Sequence, residues 1–241
     1  MALLTERDVQ ANVRVRDGER VLYLAKGDRL TPSARDYLDH RRIPIIASDT
    51  SGAPEGKQVY RTLFGATLTE KPEHMTHLYE NVLVFKDHPR IAFRGKIDAL
   101  EAQLLLCQNS ADAAGLSSLS GELGEMLTLV RDLIPCDVLG RTLTRETLCG
   151  LTPDELREYS HHPEKHCGQA HFMPASTDPR VLLELNLVRT AVRETELAAY
   201  RAFRDENGAL TRDDIILWLN RLSSLCWIQM CRLKAGRYGH G

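Results

Sequence analysis

The stretch VLLELNLVRTAVRETELAAYRAF, residues 181–203, carries two stripes. Val181, Leu185, Val188, Val192, Ala199 and Phe203 recur at helical intervals and predict one apolar face. Asn186, Arg189, Arg193, Glu196 and Tyr200 predict a polar face on the same period. Asp178-Pro179 ahead of them reads as an N-cap followed by proline at the first helical position. Arg189, Arg193 and Glu196 fall at i, i+4 and i+7, so two guanidiniums and a carboxylate form a row. Such a row is either a solvated, salt-bridged face or a clamp for phosphate oxygens, which arginine forks grip two at a time.

Downstream, Thr211 to about Leu233 predicts a helix that is apolar nearly all round, the pattern of a central bundle helix. Asn220, Arg221, Ser223, Ser224 and Gln229 interrupt it. Buried polar groups need partners, so these pair with the arginine helix or line a cavity for a polar ligand.

Working upstream, Thr152-Pro153-Asp154-Glu155 is a capping box opening a shorter helix. Leu119, Leu123, Met126, Leu127, Val130, Leu133 and Ile134 trace an amphipathic helix that Pro135 should stop. Asp87-His88-Pro89 signals another start, with Ile97, Leu100, Leu104 and Cys107 on one face. The pattern is read as helical from Lys71 onwards. The expected fold is mainly α: an up-and-down bundle of about five helices over 71–241, with a small mixed α/β appendage at 1–50. In that appendage Val13–Val15 and Val21–Leu24 flank an Asp17-Gly18 hairpin turn. Thr31-Pro32 caps a helix, and Ile43–Ala47 reads as a strand. SDTSGAPEGK, 48–57, is linker-like, and 51–70 is taken as a linker.

The 241 residues carry a net charge of −2, which gives no basic footprint for nucleic acid. No apolar run reaches the roughly 20 residues of a membrane helix, and the first ten residues lack a signal-peptide pattern. A cytoplasmic protein is expected, its six cysteines reduced and mostly in the core. His161, His162, His166, Cys167 and His171 crowd one stretch, SHHPEKHCGQAH. Their spacing matches no standard zinc module, and Pro163 and Gly168 suggest an exposed loop, so no metal site is expected.

GLTPDELREYSHHPEKHCGQAHFMPAS (150–176), LLELNLVRTAVRETELAAYRAF (182–203) and DDIILWLNRLSSLCWIQM (213–230) together resemble the ethanolamine-utilisation type of cobalamin adenosyltransferase. KPEHMTHL (71–78), HPRIAFRGKIDALEAQ (88–103) and LTPSA (30–34) are similar to the same family, and LNRLSS and the arginine helix are more distantly similar to the propanediol type.

The resemblance implies transfer of the 5′-deoxyadenosyl group of Mg-ATP to reduced cobalamin. It also implies a homotrimer binding ATP and corrinoid between subunits. It gives Arg193, Asp98 and Glu196 to the reacting centre, with Asp98 pairing across the interface with Arg193 and Glu196 orienting the arginines. Lys71, Thr76, His77, Arg189, Arg193 and Asn220 would hold the nucleotide, the first three as a phosphate loop. Phe93, Phe172 and Trp227 are candidates for an apolar wall excluding the lower cobalt ligand. A cobalamin reductase or a microcompartment component is a further expected partner.

The chain departs from the propanediol type at Leu197 and Ser224, where that pattern has arginine and aspartate, and KPEHMTHL replaces its glycine-rich loop. It also has no cysteine before Cys107, so the His–Cys–Cys–Cys motif of some ethanolamine-type members is absent. A non-catalytic corrinoid-binding or microcompartment-docking bundle is the alternative reading.

Overall fold

The computed structural model describes residues 3–6, 8–9, 13–16, 19–25, 28–48, 59–63, 65–205 and 207–239. The chain divides into two compact units, 1–59 and 60–241.

In the first unit β1 (Leu3–Leu4) pairs in parallel with β4 (Arg29–Leu30). β2 (Val13–Arg16) and β3 (Glu19–Ala25) are antiparallel, with Arg16 opposite Glu19; the Asp17-Gly18 turn lies outside the described residues. Helix α1 (Pro32–His40) starts as expected, Thr31 accepting the Ala34 amide with proline next to the cap. It carries the chain to β5 (Ile45–Ser48), parallel to β3. Val9, Leu22, Ala34, Leu38 and Ile43 form this unit's core.

The second unit opens on a sheet rather than the helix expected after Lys71. β6 (Tyr60–Thr62), β7 (Thr67–Leu68), β8 (Met75–Tyr79) and β9 (Val82–Phe85) form it in the order β7-β6-β9-β8. MTHLY and VLVF are too short for a helical period to show, and their β-branched and aromatic residues suit strands. β8 and β9 make a hairpin with a register shift between His77 and Tyr79.

Four long helices follow. α2 (Pro89–Ala113) and α3 (Ser117–Val138) come first. After α4 (Pro153–His161) and the short α5 (Pro163–Cys167) come α6 (Arg180–Phe203) and α7 (Asp213–Lys234). α2 packs on α3 and α6, and α7 packs on α6 and α4. α2 runs antiparallel to α6, and α3 antiparallel to α7. Phe93 meets Phe203 edge-on at 5.4 Å at one end, and the Cys107 thiol faces the Val181 carbonyl at the other. Likewise Arg212 donates to the Cys136 carbonyl, whereas Arg232 reaches Glu122. The core is Leu-rich, and the stripes read from the sequence are buried in it except for the partly buried Ile134.

Three local expectations are corrected. α3 runs through Pro135 to Val138; the ring removes one amide donor, a cost the last turn tolerates, and the Pro135 carbonyl still accepts the Leu139 amide. Asp178 does not cap α6. Its carboxylate accepts the Ala175 amide and pairs with Lys234, so Pro179 occupies the cap position with no side-chain bond. Pro163 and Cys167 belong to α5 and are buried rather than in an exposed loop, because Pro163 starts a helical turn and Gly168 closes it at φ +76°.

Candidate functional site

On α6 every residue of the apolar stripe is buried, which turns the polar row outward. Arg189 gives Nε and a terminal nitrogen to the Asn186 side-chain oxygen at 3.2 and 3.0 Å, so its fork is held by its own helix. One turn on, Arg193 is exposed and has no ion-pair partner among the described residues. Glu196 accepts the Asn220 amide of α7 at 3.0 Å, and the Asn220 oxygen in turn accepts the Arg221 guanidinium at 2.9 Å. Of the two readings for the interrupted helix, pairing with the arginine helix therefore holds at Asn220. Arg221 keeps a buried Nε without a partner. Its pKa is lowered by burial and then by nearby Arg157.

The stretch 168–178 folds back over α7. Phe172 and His171 both stack on Trp227, at 5.1 and 5.6 Å. Lys234 stands 5.4 Å from the Phe172 ring and pairs with Asp178. Arg237 donates to the His166 carbonyl at 3.1 Å. Between this stretch and α6 lies a cleft of about 430 Å³ whose walls include Phe172, Met173, Trp227, Asn186 and Arg189. An apolar floor thus meets a guanidinium with its fork already oriented. Met173 is 87% exposed at the mouth, and the Trp227 indole N–H is buried without a partner. Phe93 has no part in this wall: it is fully buried against Phe203, because its position on α2 faces the bundle axis.

The histidine cluster disperses. His166 stacks on Tyr159 at 3.9 Å, His162 and His166 face Glu158, and Cys167 is buried. Among the described residues no three His, Cys, Asp or Glu side chains converge as a metal site would require. His161, His162, Lys165 and His171 instead line an open hollow of about 630 Å³. Burial pushes the Cys107 and Cys231 thiols up to about 12, each helped by a neighbouring acidic or thiol group, so neither offers a thiolate nucleophile.

The remaining expected residues lie elsewhere on the unit. Lys71 is exposed ahead of β8, and Thr76 and His77 lie within that strand rather than in a loop. Successive strand side chains point to opposite faces, and the His77 ring packs against Tyr60 at 5.6 Å. Asp98 is exposed on α2 with no ion-pair partner among the described residues. Among the described residues no hydrogen bond joins β8 to Arg189, Arg193 or Asn220.

Two networks had no sequence signal. The buried Asp137 carboxylate takes Arg90 at 2.7 Å and Arg94 at 2.6 Å. Glu122 accepts Gln229, Arg232 and the Tyr238 hydroxyl, the last at 2.6 Å. Each acid lies 43 or more positions from its partners, beyond any local pattern.

Comparison with known proteins matches this architecture to one family. Residues 66–233 match the family model described as cobalamin adenosyltransferase. The chain is 30% identical over 249 residues to the corrinoid adenosyltransferase EutT of Salmonella typhimurium, covering 94% of this chain and 90% of the relative. The EutT of Escherichia coli (strain K12) is related to the same extent. The fold resembles a variant PduO-type ATP:corrinoid adenosyltransferase from Lactobacillus reuteri, solved with cobalamin and ATP. That similarity has a TM-score of 0.52 at 17% identity, over 69% of this chain and 92% of the other. No helix among the described residues is long and apolar enough to cross a membrane. With a family model matching most of the chain, and relatives aligned over nearly all of it, this protein belongs to the cobalamin adenosyltransferase family.

Proposed function

We propose that this chain transfers the 5′-deoxyadenosyl group of ATP to the cobalt of a reduced corrinoid. The cobalt(I) electron pair attacks C5′, the C5′–O bond breaks, and triphosphate leaves with the bonding pair. The observation that carries this reading is the α6–α7 pair: a pre-oriented Arg189, an exposed Arg193, and Asn220 fixed to Glu196, beside an aromatic-floored cleft. Cobalt(I) is itself the nucleophile, which fits a site without an activated thiol. The protein's task is orientation and stabilisation of the leaving triphosphate.

Arg189 and Arg193 clamp phosphate oxygens, Asn220 contacts the nucleotide, and Glu196 keeps that asparagine in register. Phe172 and Trp227 supply the apolar wall against the lower cobalt ligand. Lys71, Thr76 and His77 contribute to the nucleotide site from a second subunit. Asp98 and Arg193, both exposed and without an ion-pair partner among the described residues, meet across that contact. The active species is then a homotrimer that completes each site between neighbours. A cytoplasmic setting, a reductase supplying cob(I)alamin, and a microcompartment docking role for residues 1–50 belong to the same reading.

The test is anaerobic spectrophotometry with Mg-ATP and chemically reduced cob(I)alamin in metal-free buffer. Decay of the cob(I)alamin band to a light-sensitive adenosylcobalamin spectrum is expected. No decay, with corrinoid still bound, would leave only the binding module.

A further inference from the structure

β8 carries Thr76 and His77, and its register slips directly after them: His77 faces Leu83 but Tyr79 already faces Val82. Leu78 is the extra residue of this bulge. A bulge leaves its extra residue outside the ladder and re-aims the side chains beside it, so its carbonyl needs another donor. Arg94 of α2 supplies one. Its two terminal nitrogens donate to the Leu78 carbonyl at 2.6 Å and the His77 carbonyl at 3.2 Å, while Nε donates to Asp137 at 2.6 Å.

Every part of this arrangement is tight. The Asp137 side chain is fully buried and Arg94 is only 17% exposed. Arg90 closes the other side of Asp137 through its carboxylate and its main-chain carbonyl. Only a planar fork can reach two successive carbonyls and a carboxylate together; a lysine ammonium keeps the charge but loses that geometry. Arg90, Arg94 and Asp98 recur every fourth residue on α2, so they lie along one side of the helix. The bulge is thereby fastened one turn from Asp98, the residue assigned to the subunit contact.

We infer that Arg94, locked by Asp137, is a positioning residue for the nucleotide. It fixes the β8 bulge so that Thr76 is held at the set distance from Asp98 that the triphosphate needs. This rests on the adenosyltransferase reading above, and in particular on Thr76 as a nucleotide contact.

The experiment compares wild type, R94K, T76A and R94K/T76A for KM(Mg-ATP), kcat and corrinoid affinity, with melting temperature measured alongside. In R94K, KM(Mg-ATP) should rise about tenfold or more with corrinoid affinity unchanged. T76A should then add little in the R94K background, because contacts acting through one another are non-additive. A KM within about twofold of wild type in folded R94K, or strictly additive effects, would overturn the inference while adenosylation stands. An unchanged KM in T76A overturns it as well. A wild type without ATP-dependent adenosylcobalamin formation would instead remove the reading beneath it. Should R94K not fold, hydrogen exchange on the wild type decides: Mg-ATP should slow the amides of 75–79, and their indifference to nucleotide would refute the role.

Discussion

Asn220 on α7 donates its amide to the Glu196 carboxylate on α6 at 3.0 Å, a side-chain bond that ties the two helices together. A carboxamide is suited to this place because it donates to Glu196 while accepting from Arg221. Asn220→Asp would put two carboxylates together and remove the donor. We expect Asn220→Ala to lower kcat/KM for Mg-ATP by about tenfold, the worth of a hydrogen bond to a charged group, and Asn220→Asp by more. Steady-state adenosylation kinetics check this.

Arg193 and Asp98 are exposed, with no ion-pair partner among the described residues. If they meet between subunits, Arg193→Asp and Asp98→Arg should each weaken the oligomer, and the double exchange should restore it. Analytical ultracentrifugation reads the outcome; failure of the double variant to reassemble would remove the pairing. Arg193→Ala should lower kcat by about 100-fold, as loss of one transition-state charge donor does elsewhere.

Phe93 and Phe172 should separate stability from chemistry. Phe93→Ala removes a fully buried ring packed on Phe203 and is expected to cost about 3–5 kcal/mol of stability. Phe172→Ala opens one wall of the cleft, should cost about 1 kcal/mol, and should reduce the four-coordinate fraction of bound cob(II)alamin in its electron paramagnetic resonance spectrum. Denaturant melts of both variants complete the comparison.

Acid should loosen the bundle in a defined direction. Burial alone would raise the Asp214 carboxyl, but hydrogen bonds from Arg212 and the Leu143 amide outweigh it and hold the pKa below its ordinary value of 3.8. A carboxyl depressed in the fold stabilises above its unfolded pKa, and that stability is lost as pH falls through the folded value. Wild type should therefore lose stability on descending through and below 3.8, and Asp214→Asn should show a shallower slope there in thermal melts.

The long helices were legible because each repeats its apolar residues at a helical period, from Ile97 to Cys107 and from Val181 to Phe203. The polar half-site was legible for the opposite reason: Asn220 and Arg221 break such a period, and a break needs a cause. The sheet at 60–85 was not, since β6 joins β9 across twenty residues and neither strand is long enough to show alternation. Asp137 was hidden by its place near a proline that reads as a helix end. Asp178 carries a cap signal that Lys234, 56 residues away, overrides. Local pattern reports which way a residue faces; it does not report which distant charge claims it.

The 168–178 stretch is fastened by two cations from one region, Lys234 at Asp178 and Arg237 at the His166 carbonyl just before it, with Arg237 filling the space beside Gly168. The opposite wall of the cleft is set by apolar packing, which salt does not screen, whereas the Lys234 tie, whose side chain is 39% exposed, weakens as the Debye length shortens. Ionic strength should therefore slacken one wall and spare the other, and proteolytic nicking at the exposed Met173 should quicken with salt well before the bundle melts. A buffer chosen only for solubility would then also be setting how readily a large planar guest gets in and out.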